Sequence, residues 1–219
     1  MSNINERIMI KLIWRLTRNL LQKNYDIKII ENNSDPLLNE SYKFRYQMYC
    51  VHDKLLDYKK FPNKEENDEY DKYSIHIIAI DKIGKIIGML RLIKHSDLIF
   101  PTVKEFSLHK NVGKIDLNKV VEVSRIIVAP NYRKTFLLID LLKTAAYYSK
   151  RNNIRYWLGC IEIWFYKTLT KLFGSIELIA DPKYCFNAMN YPFLLKLSEV
   201  KSNLKKNNLL LYFLLKKYI

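Results

Sequence analysis

The chain has 219 residues, 49% of them apolar, enough to close one core in a single α/β domain. Its 37 Lys and Arg against 22 Asp and Glu leave a formal charge of +15, which favours acidic partners without choosing among nucleic acid, anionic lipid and an acidic carrier protein. Three scattered cysteines (Cys50, Cys160, Cys185) rule out a disulfide framework, four dispersed histidines supply no zinc cluster, so no metal is expected, and no apolar run approaches the roughly 20 residues of a membrane span.

In chain order, the N-terminus alternates Ile8, Met9, Leu12, Ile13, Leu16 and Leu20 with Arg7, Lys11, Arg15 and Arg18 at helical spacing. This predicts a basic amphipathic helix over residues 1–25, preceding a domain over 26–219. The helix either packs on its own domain or makes peripheral membrane contact. Asp26 to Glu31 alternates as a short strand, and Ser34-Asp35-Pro36 caps a helix from about Leu37 to Leu56 carrying Arg45 and Tyr49 one turn apart. Asp57 to Lys72, dense in charge, is expected to be a solvated loop.

Two β-branched runs, Ser74 to Asp81 and Lys85 to Ile93, joined at Lys82-Ile83-Gly84, read as a hairpin. A third strand spans Val120 to Val128, and a helix follows over Asn131 to Asn152. A strand (Arg155 to Ile161), a helix (Trp164 to Phe173), a strand (Ser175 to Ala180), a strand near Tyr191 to Leu197 and a basic terminal helix from about Ser198 complete the order. Hairpin strands followed by alternating strands and helices predict a mixed central sheet with helices on both faces.

The chemistry-bearing residues fall in five short motifs: F-R-Y-Q-M-Y-C from Phe44, the carboxylate-rich run from Phe61 through Asp68-Glu69-Tyr70-Asp71, G-M-L-R ending at Arg91, Phe100-Pro101, and E-V-S-R from Glu122 to Arg125. Together, over about Tyr42 to Arg133, they resemble the PEP-CTERM/exosortase-associated acyltransferase group, which is similar to N-acyl amino acid synthases and to the acyl-homoserine-lactone (autoinducer) synthases of the GNAT superfamily. The resemblance implies a GNAT-like fold and an acyltransferase. The donor it implies is acyl carrier protein, through its phosphopantetheine thioester, with no tightly bound cofactor. The acceptor it implies is an amino acid or similar small amine.

The residue types suit amine acylation. An ammonium acceptor must lose a proton before attacking a thioester, and Glu122, at the start of a central strand, is the candidate base. Ser124 alternates with Glu122 and shares its face, which makes it a candidate hydrogen-bond partner for the acceptor. Asp68 and Asp71, three apart, are near enough to hold one cation between them if the loop turns there, and are the candidates for substrate placement and organisation. Arg45, Arg91 and Arg125 supply guanidinium groups for an acceptor carboxylate or for those two aspartates.

In coenzyme-A-dependent GNAT enzymes the turn after the third strand is glycine-rich, whereas Lys134, Phe136 and Leu138 stand there in this chain. That departure points to carrier protein over coenzyme A, with Arg133, Lys134, Lys150 and Arg151 as the docking cations. A Trp of the homoserine-lactone synthases is replaced by Leu55 and Leu56, which counts against S-adenosylmethionine as acceptor. The rival readings are such a synthase using S-adenosylmethionine, and a non-enzymatic basic domain binding nucleic acid or membrane. The 16 tyrosines are spread over helices and strands, so no nucleic-acid partner is expected, and the compartment expected is the cytoplasm.

Overall fold

The computed structural model describes residues 24–109, 115–173, 176–185 and 187–218. The N-terminal helix expected over residues 1–25 lies almost wholly outside them. Eight strands form one sheet in the order β1-β2-β3-β4-β5-β8-β6, with β7 on β8. The first four are β1 (Tyr25–Ile30), β2 (Ser74–Asp81), β3 (Ile86–Lys94) and β4 (Val120–Val128), each antiparallel to the one before it. β5 (Tyr156–Glu162) runs parallel to β4, and β8 (Ala188–Lys196) returns antiparallel beside it, carrying β6 (Glu177–Leu178) and β7 (Lys183–Cys185).

One face is covered by α3 (Leu137–Arg151), whose Leu137, Leu141 and Ala145, spaced at i, i+4 and i+8, are fully buried against Ile75, Ile77, Leu90 and Leu92. Each buried leucine there contributes roughly 1.5–3 kcal/mol. α4 (Ile163–Phe173), α5 (Leu197–Asn207) and α6 (Leu209–Leu215) join this core through Leu169, Val200, Leu204, Leu211 and Leu215. The opposite face takes α1 (Pro36–Tyr46), with Leu37 and Phe44 packed near Ile78, Met89 and Ile127. It also takes the short α2 (Pro101–Glu105), beside a second apolar cluster of Tyr70, Ile93, Phe100, Leu158 and Leu194.

The fold is thus the expected mixed GNAT-like sheet with helices on both faces, and the hairpin and β4 fall where their sequence pattern puts them, while α3 begins at Leu137 and not at Asn131, after a separate 3-10 turn at Pro130–Tyr132. Four further details differ. The Arg45 helix does not run to Leu56: Asp35 caps it and Pro36 opens it, but at Gln47 it widens into a π-helical turn ending at His52. The Asp57–Lys72 segment is not a solvated loop, because Glu66, Tyr70 and Asp71 are buried in it. The terminal basic helix is two helices, and β7 precedes β8 without a signal in the alternation.

Two features of β4 shape the site. Its registered pairing with β5 stops at Glu122–Leu158, although both strands continue, so the two part beyond that point. On its other side the β3 register slips: Met89 faces Ile127 and Arg91 faces Ser124, leaving Arg125 and Ile126 opposite Leu90 alone. This is a β-bulge, and Arg125 sits in it at φ +49°.

Candidate active site

Strict alternation along β4 would send Arg125 to the face opposite Glu122 and Ser124. The bulge reverses this. With its positive φ, Arg125 turns onto the α1 side, where its guanidinium holds Glu66 through Nε (3.0 Å) and Nη2 (2.7 Å) and reaches Asp68 at 3.1 Å. A non-glycine residue in that conformation costs on the order of 1 kcal/mol, offset here by the charge-assisted bonds it makes possible.

Six charged side chains meet over this face. Arg45, fully buried on α1, donates from Nε to Glu66 and from Nη1 to Asp71 Oδ1 at 2.6 Å. Arg91 on β3 donates from one nitrogen, Nη1, to Asp68 (2.6 Å) and Asp71 (2.7 Å), from Nη2 to Asp68 (3.0 Å), and from Nε to the Ser124 hydroxyl (2.9 Å). The cation held between Asp68 and Asp71 is therefore Arg91, and the arginines lock the acidic loop onto the sheet. Three guanidinium groups against three carboxylates leave the cluster neutral, as burial of so much charge requires.

Burial pushes the Glu66 carboxyl upward, but Arg125 and Arg45 outweigh it and hold the group down to about 2. Asp68 and Asp71 are held below the usual carboxylate range in the same way, burial being overcome by Arg91 for Asp68 and by Arg45 and Arg91 for Asp71. His76, on β2 opposite Arg91, is pushed down to about 4 by burial and is a neutral imidazole. Its ring packs edge-on to Tyr42, and its Nε2 lies 3.3 Å from the Asp71 carbonyl.

Glu122 stands apart from that cluster. It is 3% exposed, faces the same side as Ser124, and its charge has no guanidinium within bonding distance among the described residues. Its partners are both on Thr102: the hydroxyl donates to Oε1 at 2.8 Å, and the backbone N–H is shared between Oε2 (3.0 Å) and Oε1 (3.2 Å). Burial raises its pKa to about 7, with the Thr102 bonds and the charges of Arg91 and Arg125 pulling the other way. A carboxylate in that range, at the point where β4 and β5 separate, has the proton affinity a base needs near neutral pH.

The structure brings Arg45, Asp68, Asp71, Arg91, Ser124 and Arg125 into one network, with Glu122 beside it. It does not bring together the four proposed docking cations. Arg133, in the turn that precedes α3, bonds Asp53 (3.0 Å) and the Val128 carbonyl (3.1 Å), with Lys134 next to it in sequence. Lys150 and Arg151 lie at the far end of this 15-residue helix, on the order of 20 Å away. Sequence reasoning missed Glu66 and Thr102. Glu66 carried a signal, lying two residues before Asp68 in a run that the resemblance already covered; Thr102 carried none beyond its place after Phe100-Pro101.

Residues 44–143 match the family model for the GNAT acetyltransferase domain. Among solved structures, the chain resembles the CoA-dependent acyl-homoserine lactone synthase BjaI with SAM and isopentyl-CoA (TM-score 0.65, 16% identity, 83% of this chain and 89% of that one). It also resembles the AHL synthase LasI (TM-score 0.62, 16% identity, 84% and 94%). A third similar structure is an acyl-CoA N-acyltransferase from Pseudomonas aeruginosa (TM-score 0.53, 12% identity, 78% and 98%). No curated protein matches the chain in sequence. The fold is the GNAT fold that this family model describes.

These likenesses overturn the carrier-protein reading together with its amino-acid acceptor and its partner. BjaI is described as CoA-dependent, and its structures hold SAM with isopentyl-CoA in one case and MTA in another, against the expectation of no bound cofactor-like ligand. The physical error lay in the glycine argument. Phosphate is held by the free N–H groups at a helix N-terminus, which any residue supplies. Lys134 there is exposed and adds positive charge; it does not fill a cradle.

Proposed function

We propose that this protein is an acyl-homoserine-lactone-synthase-like N-acyltransferase, moving an acyl group from coenzyme A to the amine of S-adenosylmethionine. The observation that carries it is Glu122: a buried carboxylate, raised to about 7, set where the sheet opens. The β4 edge beyond Glu122 is free of β5, and an extended donor arm bearing amides is the kind of chain such an edge pairs with. The N-terminus of α3, with Lys134 beside it, suits the phosphates.

In the reaction the acceptor ammonium gives a proton to Glu122, the amine nitrogen attacks the thioester carbonyl, and the C–S bond breaks. The thiolate leaves and takes up the second proton, which the nitrogen sheds as it becomes an amide, to give coenzyme A. Asp68 and Arg125, each about a quarter exposed while their partners are buried, are the members of the network placed to meet the acceptor's ammonium and carboxylate. Attack of that carboxylate on the carbon next to the sulfonium would then release methylthioadenosine and close the lactone. The narrower likeness to the exosortase-associated group rests on the sequence motifs alone.

The test is release of free coenzyme A thiol from a series of acyl-CoA thioesters, with and without S-adenosylmethionine, with the methylthioadenosine quantified. Thiol release dependent on S-adenosylmethionine, with stoichiometric methylthioadenosine, is expected. Release driven equally by other amines, without methylthioadenosine, would refute the acceptor.

A further inference from the structure

The base proposed above is held by one residue. Thr102 makes every hydrogen bond that Glu122 accepts among the described residues, and its two donors divide unequally between the oxygens. Oε1 takes the hydroxyl and part of the N–H; Oε2 takes only the rest of the N–H, which leaves it the oxygen with lone-pair capacity to spare. A backbone N–H can only donate, so it favours the carboxylate. A hydroxyl can donate to the carboxylate and, after rotation, accept from the protonated acid, so Thr102 serves both states that a base passes through.

Thr102 is itself fixed. Pro101 opens the short helix, and the Tyr70 hydroxyl donates to the Ile99 carbonyl at 3.1 Å. Lys183 grips the other end through the Glu105 carbonyl (3.1 Å) and carboxylate (2.6 Å). Tyr70 follows Asp68-Glu69 in sequence, so the segment carrying Thr102 is tied to the same loop that holds the arginine network.

Resting on the acyl-transfer reading, we infer that Thr102 is a positioning residue that selects Oε2 of Glu122 to face the acceptor amine and tunes the affinity of the carboxylate for the proton. The other ionisable groups around Glu122 are Arg91 on β3, Arg125 on β4, Cys160 on β5 and Tyr70. Burial pushes the Cys160 thiol up to about 12, the Glu122 charge adding to the effect and its hydrogen bond with Thr102 opposing it. It stays S–H at working pH and does not compete for the proton. The two arginines keep one charge throughout. Thr102 is the neighbour whose contact with Glu122 a single substitution can remove without altering charge.

The experiment compares the full-length chain with Thr102→Val, Thr102→Ser and Glu122→Gln, following thiol release against pH and, separately, the 13C carboxyl titration of Glu122 without substrate. A hydroxyl bond to a charged group corresponds to about one pH unit, so Thr102→Val should move the acid limb of kcat and the 13C midpoint upward by about that much. Turnover at pH 7 should fall by roughly fivefold, as the ionised fraction of Glu122 drops, with KM little changed, and Thr102→Ser should restore both. A Thr102→Val profile and midpoint coincident with the parent would overturn the inference. Should Glu122→Gln retain full turnover, the acyl-transfer reading of Glu122 fails; the 13C midpoint still judges Thr102 independently.

Discussion

Replacing Glu66 by Gln removes a single negative charge from the middle of the buried network. Arg45 and Arg125 lose their shared carboxylate while Asp68 and Asp71 remain, so three guanidinium groups face two carboxylates in a place where Glu66 and Arg45 are almost wholly excluded from water. Two routes give the magnitude. Breaking one partner out of a buried ion pair costs about 3–5 kcal/mol. The carboxyl is held down from 4.5 to about 2 in the fold, which by linkage is on the order of 3 kcal/mol of stability.

For a chain of this size that is a fall in melting temperature of about 10 °C. The sign with pH follows from the depressed value. Glu66 contributes its full stability above about 4.5, and the contribution fades as pH drops through the folded value near 2. Urea unfolding of parent and Glu66→Gln at pH 7, 5, 4 and 3 should therefore show a gap of about 3 kcal/mol that narrows on acidification below pH 5. A gap under 1 kcal/mol at pH 7, or one that does not change with pH, would refute the view that Glu66 is the buried keystone of the cluster.

Glu122 predicts the reverse. Its folded pKa near 7 lies above the unfolded 4.5, so its ionisation opposes folding increasingly as pH rises through 7, and Glu122→Gln should be more stable than the parent at pH 8, by up to about 3 kcal/mol, with little difference at pH 4. The same variant should lose about 10²–10⁴-fold in turnover with donor binding retained, measured by thiol release. Gly159 is packed so that an added Cβ would come within 2.9 Å of the Val123 carbonyl and 3.2 Å of the Phe193 ring; Gly159→Ala should destabilise by about 1–3 kcal/mol and distort the β4–β5 opening, read as a raised KM for acyl-CoA. Leu209 and Phe213, 58% and 59% exposed on one side of α6, lie between Lys205, Lys206 and Lys216, Lys217. We propose peripheral contact with anionic lipid there. Salt-sensitive co-sedimentation with phosphatidylglycerol vesicles, absent for phosphatidylcholine and lost in Leu209→Glu/Phe213→Glu, is expected; equal binding to both lipids would remove the electrostatic argument.

Strand periodicity made β2, β3 and β4 legible in the sequence because all three are long and β-branched, and Asp35-Pro36 marked the start of α1. What the pattern could not carry was irregularity. The π turn after Tyr46 and the bulge at Arg125 each break a period, and a period-based reading has no term for a residue that changes face. That is why Glu122 and Ser124 were correctly placed on one side by alternation, while the arrival of Arg125 on that side had to be seen.

The acidic loop was misread for a related reason. Charge density in Asp57–Lys72 signals solvent when the charges have only water to meet. Here Glu66, Asp68 and Asp71 meet Arg45, Arg91 and Arg125 from three other segments, and the segment folds inward because the pairs must form together. Arg91 alone would leave Glu66 unmatched, and Arg125 alone would leave Asp71. Burial of this loop is thus a property of the whole set, decided by the bulge that turns Arg125 inward, and no window along the chain contains it. The same cooperative lock sets Asp68 and Arg125, each about a quarter exposed, at the surface of the network beside the opening of β4 from β5, while Glu66, Arg45 and Arg91 are buried beneath them.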